Sequence, residues 1–266
     1  MQFSPSLKQA LQAVAEEMAE AARVVTLKYF RQPALAVDNK EAGGFDPVTI
    51  ADREAEQAMR AVLAKRRPDD AIFGEEFGKT PGTSGLTWVL DPIDGTRAFI
   101  SGAPTWGVLI GLDGGQGPVL GVIDQPFTGE RFIGGFGAAS WQRGDAKNAL
   151  KVRACERLSN AVLMTTFPEI GTKAEGDSFK AVSAECRLTR YGIDCYAYAL
   201  LAMGQIDLVI EAGLNAYDVQ GPIGVVQGAG GIVTNWQGGP AHEGGQIIAA
   251  GDARLHEAAL EILNRG

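Results

Sequence analysis

Hydrophobic positions near the start of the chain recur with the three- and four-residue spacing of an amphipathic helix. Over residues 5–30 they are Leu7, Leu11, Val14, Met18, Ala22, Val25 and Tyr29. Thr49 and Asp52 have the spacing of a capping box, which predicts that a second helix starts there. This helix is predicted to run to about residue 65. The chain therefore opens with two helices.

Short apolar runs bounded by turn residues replace the helical spacing after residue 70. Strands are predicted at 71–74 and 87–90, each followed by acidic residues, and then at 106–112, 118–123, 130–135 and 138–142. The last four follow one another without an intervening helix, which favours an antiparallel or mixed sheet.

Near residue 150 the pattern changes to an alternation of strands and helices. The predicted strands are 161–166, 187–190, 206–210, 230–234 and 246–250. The predicted helices are 173–185, 194–203, 218–228 and 252–264. We therefore expect an α/β (α+β) protein with an α+β lobe at 1–150 and an α/β lobe at 151–266.

Composition narrows the possible functions. With 45% hydrophobic and 21% charged residues, a chain of 266 residues can bury a sizeable core. A net charge of −8 without a run of Lys and Arg argues against nucleic-acid binding. Two histidines are too few for a His-rich zinc site or a Ser-His-Asp triad. Three cysteines without C-x-x-C spacing, and no signal-peptide or membrane-span pattern, predict a cytoplasmic protein without a membrane partner.

Two carboxylates, Asp91 and Asp94, lie where an apolar run breaks into a turn. Pro92 restricts the backbone and Gly95 permits a tight turn, so both side chains can face one point with the Ile93 carbonyl between them. Hard oxygen ligands of this kind suit Mg²⁺. A helix cap is the alternative interpretation, because Asp before Gly-Thr is common in turns.

A second acidic pair, Glu75 and Glu76, follows the predicted strand 71–74. Side chains alternate along an extended chain, so we expect Glu75 to bind a metal directly while Glu76 helps to position water. An unpaired surface acid is the alternative for Glu76.

Asp46 and Thr49 flank Pro47 and allow two interpretations. In one, Thr49 caps a helix and Asp46 is a turn residue. In the other, Asp46 accepts a hydrogen bond from Thr96, whose hydroxyl orients a metal-bound water. That arrangement would be a general-base relay that needs no histidine.

The segment 96–100 is predicted to start a helix, whose backbone N–H groups can bind a phosphate without a basic side chain. The P-loop pattern G-x-x-x-x-G-K-[ST] is absent. Asp91 and Asp94 are three residues apart, unlike the acids of a D-x-D nucleophile motif. We therefore expect the aspartates to be ligands and a metal-activated water to attack phosphorus.

Four ordered motifs resemble those of the inositol monophosphatase family of magnesium-dependent, lithium-sensitive phosphatases. They are Asp46-Pro-Val-Thr49-x-x-Asp52, Gly74-Glu75-Glu76, Asp91-Pro-Ile-Asp94-Gly-Thr96, and Tyr217-Asp218 followed by Gly230-Gly231. The resemblance covers nearly the whole chain and implies a layered αβαβα sandwich, two or three Mg²⁺ ions and a homodimer. Many members have Trp where this chain has Tyr217, and Lys40 is a candidate for a loop lysine near the metals.

The resemblance also assigns roles. The implied metal ligands are Glu75, Asp91, the Ile93 carbonyl, Asp94 and Asp218. Asp46 and Thr96 would form the water-activating pair, and Glu76 is kept as a third catalytic candidate. The metal-binding motifs would then lie in the lobe 1–150, and the last metal ligand and the substrate contacts in the lobe 151–266.

Two segments look like the histidinol-phosphate phosphatase branch of the family: residues 96–111 and residues 190–198. The implied substrate is L-histidinol phosphate, and the implied reaction is the penultimate step of histidine synthesis. The predicted substrate contacts are Gly95, Thr96, Arg190, Asp194 and Glu211.

The carboxylates of Asp194 and Glu211 can pair with the ammonium group of that substrate, although Asp194 could equally be a helix N-cap. Inositol-1-phosphate or a broad range of small phosphate esters is the alternative substrate. A further hypothesis is that the protein is a non-catalytic metal- or phosphate-binding regulator.

Overall fold

The computed structural model describes residues 3–32, 37–39 and 47–265, so Lys40 and Asp46 lie outside the described residues. The helices are α1 (Pro5–Tyr29), α2 (Ile50–Arg66), α3 (Thr96–Ile100), α4 (Lys173–Glu185), α5 (Tyr196–Ala202), α6 (Ala216–Gly228) and α7 (Ala253–Leu263). The strands are β1 (Val37–Asn39), β2 (Pro47–Thr49), β3 (Ala71–Gly74), β4 (Gly78–Thr80), β5 (Thr87–Asp94), β6 (Gly107–Asp113), β7 (Pro118–Gln125), β8 (Glu130–Gly135), β9 (Ala138–Arg143), β10 (Ala146–Ala149), β11 (Val162–Thr165), β12 (Leu188–Tyr191), β13 (Leu208–Asn215), β14 (Ile232–Thr234) and β15 (Gly244–Ala250).

Two sheets dominate the described residues. The first has the order β10-β9-β8-β7-β6-β5-β3-β4 and is antiparallel except for the parallel pair β3 and β5. The second has the order β12-β11-β13-β15-β14, with β12, β11 and β13 parallel. An antiparallel or mixed sheet was expected in the first half of the chain, and the structure has a mixed sheet with one parallel pair.

Side chains of the first sheet alternate between two helical layers. In β6, Val108, Ile110 and Leu112 pack with α1 and α2. Leu109, which points the other way, packs in the core formed with α5 and α6. A strand with helices on both faces is apolar at nearly every position, which is why the sequence of β6 reads as one hydrophobic run.

The second sheet repeats this arrangement. Leu208 and Ile210 of β13 share a core with α4 and α7, whereas Val209 belongs to the core with α5 and α6. The layers in order are α1 with α2, the first sheet, α5 with α6, the second sheet, and α4 with α7. The predicted αβαβα sandwich is confirmed.

Helix α6 lies directly on the first sheet because glycines line the contact. A Cβ on Gly121 of β7 would lie 2.1 Å from the carbonyl oxygen of Gly221 in α6. A Cβ on Gly224 would lie 2.4 Å from the backbone nitrogen of Gly121. Since no larger side chain fits at these positions, the helix stays close to the sheet and its first turn, with Asp218, reaches the ends of the strands.

Several boundaries differ from the sequence prediction. The capping box of Thr49 and Asp52 at the start of α2 is confirmed. Strands β4 and β10 were missed because they are short and mostly exposed, without an apolar alternation. Strand β13 continues five residues beyond the predicted end at residue 210, and α5 begins at Tyr196 instead of residue 194.

The predicted division near residue 150 falls between β10 and β11, where the chain leaves the first sheet. Helices α5 and α6 come after this point and nevertheless cover a face of the first sheet. The division therefore separates two sheets that share a middle core. Within the described ranges, no helix has both the length and the apolar character that a membrane crossing requires.

Candidate metal centre

A β-bulge in β5 turns Asp91 and Asp94 toward the same pocket. Residues three apart in a regular strand point to opposite faces of the sheet. Here Asp91 pairs with Leu109 and Asp94 with Gly107, so three steps along β5 match two steps along β6. The extra residue resets the alternation, and both carboxylates line one pocket.

Asp218 joins these two carboxylates from the first turn of α6. The backbone N–H of Asn215, the helix cap, donates a 2.6 Å hydrogen bond to Asp218 Oδ2 and fixes the side chain. One carboxylate oxygen from each of Asp91, Asp94 and Asp218 lies within 4.8 Å of the others. We call these three residues the acid cluster.

The acid cluster is electrostatically unfavourable by itself. Burial, reinforced by neighbouring carboxylates, raises the pKa of Asp91 and of Asp94 well above the ordinary value. Burial also raises the pKa of Asp218 to about 7, against the hydrogen bond from Asn215 that lowers it. Carboxylates that are buried together can all be ionised at neutral pH only if positive charge compensates them.

Little of that compensation comes from the pocket wall. Among the described residues that line the pocket, the one basic side chain is Arg97, whose guanidinium lies 5.0 Å from the centre of the Phe167 ring. The donor set of the acid cluster consists only of oxygens, which suits a hard divalent cation. The acid cluster could therefore hold a metal ion.

Glu75 lies beside the acid cluster because β3 and β5 are parallel and end at the same edge. Its backbone N–H donates a 3.1 Å hydrogen bond to the Leu90 carbonyl, which continues the pairing of the two strands. The charge of Glu75 contributes to the raised pKa of Asp91, after burial. Glu75 also lines the pocket.

Glu56 of α2 binds the loop after β3 that carries Glu75 and Glu76. The sequence did not point to Glu56 as a site residue. One carboxylate oxygen of this fully buried residue accepts the Glu76 N–H at 2.7 Å, and the other accepts Arg60 Nε at 2.7 Å. Gly74 makes room for it, since a Cβ there would lie 2.0 Å from Glu56 Oε1. The available signal was an acid four residues after Asp52, on the apolar face of a predicted helix.

The pocket is a cavity of about 390 Å³ that extends from the acid cluster to the first turn of α3. Thr96 Oγ1 donates a 3.1 Å hydrogen bond to the Ile93 carbonyl, so the predicted water-orienting hydroxyl and the predicted carbonyl ligand are in contact. Because α3 has only five residues, an anion at its start would be held by individual N–H groups more than by a helix dipole.

Asp194 lines the same pocket in an unusual backbone conformation. Its φ is 47°, a region that few residues other than Gly adopt but that Asp tolerates. The Thr105 hydroxyl donates a 2.9 Å hydrogen bond to Asp194 Oδ2. The N-cap interpretation is wrong, because α5 starts two residues later and is capped without a side-chain hydrogen bond.

Glu211 enters the pocket from β13, where a second bulge lies between Glu211 and Leu214. Its carboxylate accepts hydrogen bonds from the Thr165 hydroxyl at 3.0 Å and from the Thr166 N–H and hydroxyl at 2.8 and 2.9 Å. Burial nevertheless raises the pKa of Glu211 to about 7, against these donors. The carboxylate is therefore well oriented, and a positively charged ligand would stabilise its ionised form.

Three of the predicted site residues are not among the described residues that line the pocket. Glu76 and Arg190 do not line the described pocket: Glu76 belongs to the loop that Glu56 holds, and Arg190 is exposed on the edge strand β12. Asp46 lies outside the described residues. The predicted site residues that the pocket brings together are Glu75, Asp91, Ile93, Asp94, Gly95, Thr96, Asp194, Glu211 and Asp218.

The αβαβα sandwich and its oxygen-only acid cluster define a layered α/β protein with a site that could hold a metal ion. The model of the inositol monophosphatase family matches residues 7–265. The chain belongs to this family.

Individual relatives agree with this assignment. The bifunctional phosphatase IMPL2, chloroplastic, of Arabidopsis thaliana is 40% identical over 94% of this chain and 74% of its own. A histidinol-phosphatase of Streptomyces coelicolor is 34% identical over 95% of this chain and 96% of its own. A solved inositol monophosphatase from Zymomonas mobilis has a TM-score of 0.85 at 41% identity and covers 98% of this chain and 99% of its own.

Proposed function

We propose that this protein is a Mg²⁺-dependent phosphomonoesterase that hydrolyses L-histidinol phosphate to L-histidinol and phosphate, in histidine synthesis. The proposal rests on one observation: a single pocket contains two sets of acidic residues, the acid cluster and the pair Asp194 and Glu211. The acid cluster suits a divalent cation, whereas Asp194 and Glu211 suit the ammonium group of an aminoalkyl phosphate.

The metal-binding groups of the proposal are Glu75, Asp91, the Ile93 carbonyl, Asp94 and Asp218. Bound Mg²⁺ would activate a water molecule and neutralise charge on the phosphate. Asp46 and Thr96 would orient that water, and the Asp46 carboxylate would accept its proton. We assign no contact with the water to Glu76, because it does not line the described pocket. Backbone N–H groups from Gly95 onward would hold the phosphate oxygens.

The amine-binding part of the proposal rests on charge. Burial raises the pKa of both Asp194 and Glu211, which means that their ionised forms gain from a cationic partner. Their hydrogen-bond donors, from Thr105, Thr165 and Thr166, already hold the two carboxylates in place. A preorganised pair of this kind favours an ammonium ion over a neutral hydroxyl. We assign no substrate contact to Arg190, because it is exposed outside the pocket.

Inositol-1-phosphate, or several small phosphate esters, is the second candidate substrate. The 41% identity to the Zymomonas mobilis inositol monophosphatase favours it. Against it, inositol brings no positive charge to Asp194 and Glu211. A non-catalytic metal- or phosphate-binding regulator is the weakest candidate, because a relative without catalytic activity would be expected to have lost an acidic ligand or Thr96.

The test is a comparison of kcat/KM for L-histidinol phosphate and inositol-1-phosphate, with Mg²⁺ and with excess EDTA. We expect a preference of at least about tenfold for the aminoalkyl ester, which corresponds to one charged hydrogen bond. EDTA should abolish phosphate release from both. Turnover that survives EDTA would contradict the metal mechanism, and an equal or reversed preference would contradict the substrate assignment.

A further inference from the structure

Tyr198 lines the pocket and carries a buried polar atom that the proposed function does not yet use. The residue is 3% exposed, it lines the same pocket as the acid cluster, and its hydroxyl has no hydrogen-bond partner among the described residues. Most buried hydroxyl groups in folded proteins have a partner. An orphaned one at the wall of a ligand pocket indicates that the ligand supplies the partner.

Two carboxylates lie near this hydroxyl. Asp194 precedes α5 by two residues, and the 3.1 Å hydrogen bond from the Ala197 N–H to the Asp194 carbonyl closes the turn that leads into the helix. Glu211 reaches the pocket from β13, which packs against α5. After burial, the charge of Glu211 contributes most to the raised pKa of Tyr198, and the charge of Asp194 adds to the raised pKa of Glu211. All three residues line the same pocket.

We propose that the Tyr198 hydroxyl accepts a hydrogen bond from the ammonium group of the substrate and completes a three-acceptor cradle with Asp194 and Glu211. A primary ammonium has three N–H donors and no acceptor, which matches three oxygen acceptors on the wall of the pocket. The inference rests on the proposed function in taking the substrate to be an aminoalkyl phosphate. It adds a residue that selects the amine, separate from the residues that bind phosphate and metal.

Tyr196 provides a matched control on the same helix. Its hydroxyl donates a 2.7 Å hydrogen bond to Glu130 Oε2, and the residue does not line the pocket. Tyr196→Phe and Tyr198→Phe therefore remove the same atom, once from a satisfied structural hydrogen bond and once from the pocket.

The experiment measures kcat, KM and Tm for both variants with L-histidinol phosphate and inositol-1-phosphate. For Tyr198→Phe we expect kcat/KM for histidinol phosphate to fall about tenfold, mainly through KM, which corresponds to about 1.4 kcal/mol. Its activity on inositol-1-phosphate and its Tm should remain unchanged. Tyr196→Phe should lower Tm and leave the ratio of the two kcat/KM values as in the wild type.

Binding of L-histidinol, which has the ammonium group but no phosphate, separates this inference from the proposed function. Calorimetry with Mg²⁺ present should show about tenfold weaker binding to Tyr198→Phe and unchanged binding to Tyr196→Phe. That result supports the cradle even if the wild type fails to hydrolyse histidinol phosphate, which would overturn only the proposed function. Equal histidinol affinity in the wild type and Tyr198→Phe, or an equal loss of turnover for both esters, would overturn the cradle.

Discussion

Asp124 and the acid cluster both place carboxylates away from water, and the protein compensates their negative charge in different ways. Asp124 of β7 is completely buried, and its carboxylate accepts hydrogen bonds from Arg23 at 2.7 Å and from Arg131 at 2.5 Å. In the acid cluster Asp91 is buried and Asp94 and Asp218 are half-buried, but the only basic side chain among the described residues that line the pocket is Arg97.

The difference separates a structural site from a functional one. A buried carboxylate is stable as an anion only when a positive charge or several donors compensate it. Where the chain supplies the cation, as it does for Asp124, the pair stabilises the fold and needs no ligand. Where it does not, as in the acid cluster, the site gains from an external cation, and strongly perturbed pKa values accompany such functional sites.

A substitution in the acid cluster, whose charge an external cation would compensate, should have the largest effect on turnover. In Asp94→Asn the neutral amide weakens the hold on a divalent cation, and kcat/KM should fall by about 10³-fold or more. The fold should persist, because the amide oxygen can still accept the 2.7 Å hydrogen bond from the Cys195 N–H. Steady-state kinetics and circular dichroism measure both effects. Near-normal turnover in a folded variant would remove Asp94 from the metal site.

Removal of Asp124, whose charge Arg23 and Arg131 compensate, should lower the stability of the fold. Asp124→Ala leaves the mostly buried Arg131 with its 3.3 Å ion pair to the exposed Glu20 but without its buried partner, and we expect a loss of about 3–5 kcal/mol in the free energy of unfolding. Urea denaturation measures this value. The fraction that remains folded should hydrolyse phosphate esters with the Mg²⁺ dependence of the wild type. A normal urea midpoint would show that the arginine pairs contribute little.

The substrate side of the pocket should show a smaller and selective effect. Asp194→Ala removes one carboxylate from the predicted ammonium contacts, so KM for histidinol phosphate should rise about tenfold. KM for inositol-1-phosphate should change little, because a neutral polyol gains nothing from that charge. If both KM values rose alike, Asp194 would be shaping the pocket without recognising an amine.

The smallest expected effect concerns stability without a cation. The folded-state pKa of Asp218 is about 7 and its ordinary value is 3.8, so the folded protein holds a proton that the unfolded chain releases between about pH 4 and 7. In EDTA, stability should therefore decrease as pH rises through this window. Asp218→Asn removes this loss, and its Tm at pH 8 in EDTA should exceed that of the wild type by about 5 °C. Mg²⁺ should cancel or reverse the difference, and a Tm difference independent of pH would contradict the account.

Hydrophobic periodicity predicted most helices and strands, because it survives in long elements such as α1 and β6. The order of the layers was implied by the family resemblance. Short, exposed strands such as β4 and β10 carry no such signal. The type of site was also predictable, since Asp91 and Asp94 follow the apolar run 87–90 and Glu75 follows the apolar run 71–74. Asp218 was assigned only through the family resemblance, because nothing local in the sequence tells that α6 lies against the first sheet.

Other parts of the site depend on contacts that sequence patterns do not express. The bulge that turns Asp91 and Asp94 to one side is set by the pairing of β5 with β6. The N-cap alternative for Asp194 stayed open in the sequence, because its left-handed backbone and its hydrogen bond from Thr105, 89 residues away, are tertiary features. For the same reason the orphaned hydroxyl of Tyr198 could not be recognised before its surroundings were known.

The most direct test of the central claim is a crystal structure with Mn²⁺ as a substitute for Mg²⁺, with the ion located by its anomalous scattering. The account predicts a peak in direct contact with carboxylate oxygens of Asp91, Asp94 and Asp218. A crystal without a peak at the acid cluster, grown from protein that hydrolyses phosphate esters in the same Mn²⁺ buffer, would contradict it.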